Sequence, residues 1–360
     1  MPKKEHSRMN RGRIRIEGFD AETVATREPI SSWEPELESE AGRGRLALAW
    51  MRFRRNRLAL FGAALIGFMI FLAVFARPIR LPAELSMWVI GTIDLPGFLA
   101  RQTIQPFSLT PHDPTARDTI VGHTPPSFEH PFGTDWAGRD VFSRVLYGGR
   151  WSLSIGFIAV GMALLVGVPL GAVAGYFGGW VDEAIMRFVD MLYAFPFIVL
   201  AIAIIAILGR GYWQMIAALV VVGWLAYARI IRGEILSVKE NEYVLAAKAL
   251  GATDRSVIFR HIVPNAMAPV IVQATLSIGT VVLTAAALGF IGLGLSPASA
   301  EWGVMLNVEQ DGMARGTWWG GLFPGLAIFL FVMAINLVGD GVRDAFDPQG
   351  NRTGTGGDFR

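Results

Sequence analysis

The sequence contains no cysteine. That excludes disulfides, thiolate nucleophiles and cysteine-ligated metals. Charge is scarce too: 17% of the 360 residues are Asp, Glu, Lys or Arg, against 52% hydrophobic. Soluble chains of this length seldom show that balance, whereas polytopic membrane proteins do. No G-x-x-x-x-G-K-[ST] phosphate loop occurs, so the chain is not expected to hydrolyse ATP in that way. Neither G-x-S-x-G nor H-E-x-x-H is present, and no catalytic pair lies within an apolar run, which argues against an enzyme. The apolar runs carry no paired carboxylates and show no internal repeat, as a self-contained secondary transporter would. Five histidines, His6, His112, His123, His130 and His261, are scattered without ligand spacing. They read as surface residues, and neither a metal nor a cofactor is expected.

Apolar runs fill the rest of the chain. A bilayer core of about 30 Å needs roughly 20 apolar helical residues. Six segments qualify: 58–76, 153–175, 190–208, 213–231, 266–289 and 320–338. The fold class is therefore all-α, a polytopic membrane protein with six transmembrane helices. Polar residues precede the first run and no small-residue cleavage site follows it, so it reads as a retained span. Residues 1–43 mix Lys, Arg, Glu, Ser and Pro without apolar periodicity and are expected to form a disordered tail. Residues 44–76 hold the first span, 77–150 an outer loop, 151–348 a five-span core and 349–360 a second tail. Leu81–Ala100 is apolar but contains Pro82, Glu84, Asp94 and Pro96, so it reads as a surface part of the outer loop.

Basic residues cluster at Arg43–Arg57 and Arg232–Arg260. Both clusters flank spans, so the positive-inside rule explains them better than nucleic-acid binding does. With the N-terminus inside, alternation places 77–150 outside, 176–189 inside, Gly209–Tyr212 in an outer turn, 232–265 inside, 290–319 outside and the C-terminus inside.

Two spans carry side-chain patterns. Gly167, Gly171 and Gly175 recur every four residues in the second span, a spacing that lets another helix approach closely. In the fifth, Gln273, Ser277, Thr280 and Thr284 fall on one helical face. Such a stripe bonds a neighbouring helix or lines a wet path, and it is the candidate translocation lining.

The most informative segment is Glu240–Asn265, ENEYVLAAKALGATDRSVIFRHIVPN. A simple connection between spans needs only a few residues. Tyr243, Ala246, Ala247 and Leu250 present small and apolar groups along one face of a short helix, which suits a groove, and Glu242 lies one turn before Leu245 in the same stretch. Gly251 can turn the chain into a second helix. Thr253 or Asp254 can cap that helix, and Pro264 is expected to end it and start the fifth span.

This segment resembles the coupling loop of permease subunits in ABC importers, whose pattern is Glu-Ala-Ala, three residues, Gly and a distant Pro. Here Ala246, Ala247, Gly251 and Pro264 match, and Leu245 stands where the family has glutamate. HPFGTDWAGRDVFSRVLYGGRWSL (130–153), FIGLGLSPASAEWGVML (290–306) and LFPGLAIFLFVMAINLVGDGVRDAFDP (322–348) resemble the C-type permease of dipeptide and oligopeptide importers. Close relatives carry oligosaccharides or nickel complexes. The resemblance implies a type I importer permease with short cytoplasmic coupling helices in a prokaryotic inner membrane. It implies a homologous second permease, two cytoplasmic ABC ATPase subunits and an extracytoplasmic solute-binding protein as partners. The 232–265 loop would seat on the ATPase, and its motion would switch the spans between inward-open and outward-open states.

Overall fold

The computed structural model describes residues 45–76, 110–115, 117 and 122–346. The two expected tails and much of the outer loop, including 81–100, lie outside them. The chain divides into a short unit, 1–48, and a second unit, 49–360, which holds everything discussed below apart from residues 45–48. All regular elements among the described residues are helical.

Five helices are long and apolar enough to cross a membrane. After α1 (Arg45–Arg55), the first of them is α2 (Arg57–Phe75), whose N-cap Asn56 accepts from the backbone of Leu58 and Ala59. Next is α3 (Val141–Phe177). It begins well before residue 153, where hydropathy places the second span. Its first turns carry polar residues that burial satisfies: Arg144 donates to the carbonyls of Pro114 and Ser299 at 3.1 and 2.8 Å. Asp140 caps α3 by accepting from Ser143 N–H at 2.7 Å.

The expected third span, 190–208, is not one helix. Instead α4 (Gly179–Tyr193) and α5 (Phe197–Leu208) meet at 89°. Pro196 stands at the break with extended backbone, lacks an amide proton and biases Phe195 away from helix. Residues 176–189, expected as an inner connection, therefore mostly form the amphipathic helix α4. Two ion pairs hold it against the next long helix, Asp182 with Arg232 and Asp190 with Arg229. Counted as one span, the bent pair is the sixth.

Gly209 and Gly211 form the turn into α6 (Tyr212–Val238). α6 lies along α3 because of the glycines at every fourth position. A Cβ on Gly167 would come within 2.5 Å of the Trp224 carbonyl oxygen, and one on Gly175 within 2.9 Å of that of Arg232. One on Gly171 would run into the Ala228 carbonyl. The spacing thus works as close helix packing, backbone on backbone.

α7 (Glu242–Ala249) precedes the long helix α8 (Asp254–Phe290). The short helices α9 (Trp302–Val308) and α10 (Gln310–Ala314) lead to α11 (Trp319–Phe346). α3 and α6 run parallel, and the bundle has two polar ends. At one, the start of α3 meets α9 and α11: Trp302 donates to the Val145 carbonyl and Trp319 to that of Thr134. At the other, the end of α3 meets the loop between α6 and α8.

Candidate functional site: the loop between the fourth and fifth spans

The loop is built as a capped knob. α7 starts after Asn241, whose backbone is extended. It closes on Gly251, which sits at φ +82, where L-residues are strained. Gly251 N–H donates to the Lys248 carbonyl at 2.9 Å and Ala252 N–H to that of Ala247 at 3.1 Å. Those two bonds are the Schellman closure of a helix, so the single glycine does what its position suggested.

α7 faces two ways. Val244 is fully buried, in one apolar cluster with Ile235, Ile258 and Ile262. Tyr243, Leu245 and Ala246 are exposed, Ala247 is half-buried, and Leu250 is 89% exposed. The anchor, Val244, is not among the residues that the sequence pattern singles out, because a lone valine in a short loop helix carries no periodicity. Glu242 is exposed as well.

Two expectations for the second half of the loop need correction. Thr253 occupies the N-cap position but its side chain makes no capping bond. Pro264 stands in the first turn of the α-helical stretch Val263–Phe290, as expected, but it does not break the chain from what precedes it. The chain runs as one helix from Asp254 to Phe290, with a π-helical stretch at Val257–Ile262 just before the proline. A wide turn of this type absorbs a residue that cannot donate to the ladder. Consequently the second half of the loop, from Asp254, is continuous with the fifth span, a rod of 37 residues, about 55 Å at 1.5 Å per residue.

Side chains strap the knob to the end of α3. The Tyr176 hydroxyl and Asp254 Oδ1 are 2.5 Å apart. The Lys248 ammonium lies 4.6 Å from the Tyr176 ring centroid, a cation–π contact. Lys239 Nζ donates to the Gly175 carbonyl at 3.1 Å. None of these three tethers is visible as a motif.

Farther along α8, the polar stripe is partly self-satisfied. Gln273 Nε2 donates to Ser277 Oγ at 3.1 Å, and Thr284 Oγ1 to the Thr280 carbonyl at 2.8 Å. Ser277 also interacts with the Tyr227 hydroxyl of α6. Gln273, Ser277 and Thr284 are half-buried and Thr280 is exposed. The four positions share a face of α8, whereas the loop residues other than Pro264 lie on α7 and the turn before that helix.

At the opposite end, the 130–153 segment forms a buried polar clasp. Asp135 accepts from the backbone of Ala137 and Arg139 and pairs with the Arg139 side chain at 2.6 Å. Glu309 accepts from Trp136 N–H at 3.1 Å and meets His123 Nε2 at 2.9 Å. Glu301 caps α9, accepting from Gly303 and Val304 N–H at 2.9 Å and bonding Ser152 Oγ at 3.1 Å. Burial pushes the Glu301 carboxyl above its ordinary 4.5, and those three hydrogen bonds pull it back. A native carboxyl held high binds its proton more tightly than the unfolded one. Its contribution to stability is therefore fullest below about pH 4.5 and falls as pH rises through the raised value. Glu301→Ala should cost about 1–3 kcal/mol, since buried donors lose their acceptor. Glu301→Gln should cost less and flatten the pH slope. Thermal unfolding of the solubilised protein across pH reads both.

The family described as binding-protein-dependent transport system inner membrane component matches residues 167–350. The N-terminal TM domain of oligopeptide transport permease C matches residues 44–86. The dipeptide transport system permease protein DppC of Bacillus subtilis (strain 168) is 38% identical over 84% of this chain and 85% of its own length. DppC of Alkalihalophilus pseudofirmus is 49% identical over 62% of this chain and 73% of its own. The glutathione transport system permease protein GsiD of Escherichia coli O6:K15:H31 is 39% identical over 83% and 89%. With half its length matched by the family and relatives aligned nearly end to end, this chain belongs to the inner-membrane permease components of binding-protein-dependent ABC transport systems.

Proposed function

We propose that the chain is one of two membrane halves of a peptide importer and that Glu242–Gly251 is where an ATPase subunit drives it. The observation that carries this reading is an exposed, glycine-closed knob joined by a tight turn to the one helix that becomes the fifth span. Val244 seats the knob in the apolar core, while Tyr243, Ala246, Ala247 and Leu250 face a partner. Pro264 rides within the rod. A displacement of the knob then moves the helix that bears Gln273, Ser277, Thr280 and Thr284, the proposed lining of the path. Coupling of this type needs contacts that differ between the two states, and a surface bonded to the rod supplies them.

ATP hydrolysis belongs to two separate cytoplasmic subunits in this reading. A second, homologous permease completes the path, and an extracytoplasmic binding protein delivers the solute. The basic residues flanking α2 and following α6 support an inward N-terminus and an inward loop. Peptides are the proposed cargo because the relatives named above are called dipeptide or glutathione permeases. The uncharged stripe suits solutes of varied side chains.

Purification from the native membrane followed by reconstitution tests the proposal. Two ATPase chains and a second permease should accompany this chain, and uptake of a labelled dipeptide should require ATP and the binding protein. Recovery alone, with uptake in liposomes lacking ATP, would return the chain to the secondary transporters.

A further inference from the structure

The five histidines look unrelated in sequence, yet two of them meet. The His112 and His130 rings stand 4.6 Å apart, and the exposed Glu129 lies beside them. One ligand atom from each of His112, Glu129 and His130 falls within 4.8 Å of the others. Ligands on one tetrahedral zinc are roughly 3.3 Å apart, given bonds of about 2.0–2.1 Å. Small rotations of an exposed glutamate and two partly exposed rings cover the difference.

Support around the trio is already built. His130 Nδ1 meets Asp140 Oδ1 at 3.0 Å, which leaves Nε2 as the outward nitrogen. A buried carboxylate behind an imidazole is the arrangement that orients metal-binding histidines and raises their basicity. Asp140 is itself fixed, because its other oxygen caps α3 through Ser143. The His130 backbone is held in a turn, accepting from Ser127 and Gly133 N–H. His112 is tied to the same helix turn by its N–H, which donates to Ser143 Oγ at 3.2 Å. Its Nδ1 is buried and has no hydrogen-bond partner, standing 3.9 Å from Asp140 Oδ2.

We propose that His112, Glu129 and His130 bind one divalent transition metal of the zinc type, with Asp140 orienting His130. Two imidazoles and a carboxylate form a borderline-soft donor set that favours zinc over magnesium or calcium. The fourth position stays open to water through the exposed Glu129. The metal would pin the 110–115 segment to the start of α3, at the end of the bundle opposite the coupling loop. The site is separate from the proposed transport path.

The test uses the full chain in nanodiscs, purified on a tag free of histidine, and Zn2+ alone as probe. Competition against a chromogenic chelator should give one zinc per chain, and zinc should raise the melting temperature. His112→Ala, His130→Ala and Glu129→Gln should each weaken binding at least tenfold, while His261→Ala should not. Glu129 is on the surface, so E129Q separates loss of a ligand from loss of fold. X-ray absorption should show two imidazoles and a carboxylate. Absence of bound zinc, or zinc retained undiminished by the H112A/H130A double variant, would overturn the proposal.

Discussion

Replacing Gly171 with leucine is expected to remove most of the folded protein from the membrane. The added Cβ would strike the Ala228 carbonyl and the Ile231 side chain of α6. A carbonyl within a helix cannot rotate away, so the two helices must separate. Overpacking generally costs about 1–3 kcal/mol, and contact against backbone places this substitution at the upper end. Separation also opens the Gly167 and Gly175 contacts, which lie on the same ridge. Gly161 supplies the control. It belongs to the same helix, and a Cβ there meets nothing within 4 Å. Gly161→Ala should be neutral or slightly stabilising, since alanine favours helix by about 1 kcal/mol over glycine. Monodisperse yield by size exclusion measures all of this. Normal yield from G171L would mean that α3 and α6 are not held by close approach.

Gly251→Val should leave that yield intact and strike transport instead. A Cβ at Gly251 meets nothing within 4 Å, so space is no obstacle. The cost comes from φ +82, a conformation that disfavours L-residues by roughly 1–2 kcal/mol and β-branched ones most. With the closure broken, α7 loses its fixed exit, and the face proposed to meet the ATPase turns away. Uptake by the reconstituted complex is expected to fall tenfold or more while ATP hydrolysis continues. The rank order is a sharper check than any single variant. Asparagine tolerates the left-handed region, so Gly251→Asn should retain the most activity, Gly251→Ala less and Gly251→Val least. Equal uptake by all three would separate the turn from coupling.

Much of this architecture was legible in the sequence, and the exceptions have identifiable causes. Apolar length was enough for five of the long helices. The third span was misread because hydropathy sums residues without regard to backbone. Pro196 stands at the break, and the pairs that tie α4 to α6, Asp182 with Arg232 and Asp190 with Arg229, join residues 50 and 39 positions apart. The early start of α3 was hidden by Arg144 and Ser143, polar residues that look like loop until their buried partners are known. Gly251 was readable because a positive φ is a local demand. Pro264 was readable as the start of an α-helical stretch, but the π-helical turn that joins it to the residues before was not. Likewise, Tyr176 carries no signal by itself. Its role against Asp254 and Lys248 exists only after folding brings three segments together. His112 and His130 differ by 18 positions, a spacing without meaning until the clasp closes around Asp140.

The absence of native cysteine allows the central claim to be tested directly, because one introduced thiol can be labelled alone. Leu250, at 89% exposure on the knob, is the position of choice, and Phe128, fully exposed at the other end, is the control. A thiol-reactive photocrosslinker on Leu250→Cys, activated in intact membranes of cells expressing the whole transporter, should capture an ATPase subunit. The yield should change when a non-hydrolysable ATP analogue is added. Phe128→Cys should capture no ATPase. Capture of an ATPase from Phe128→Cys, or none from Leu250→Cys in membranes that still transport, would contradict the account.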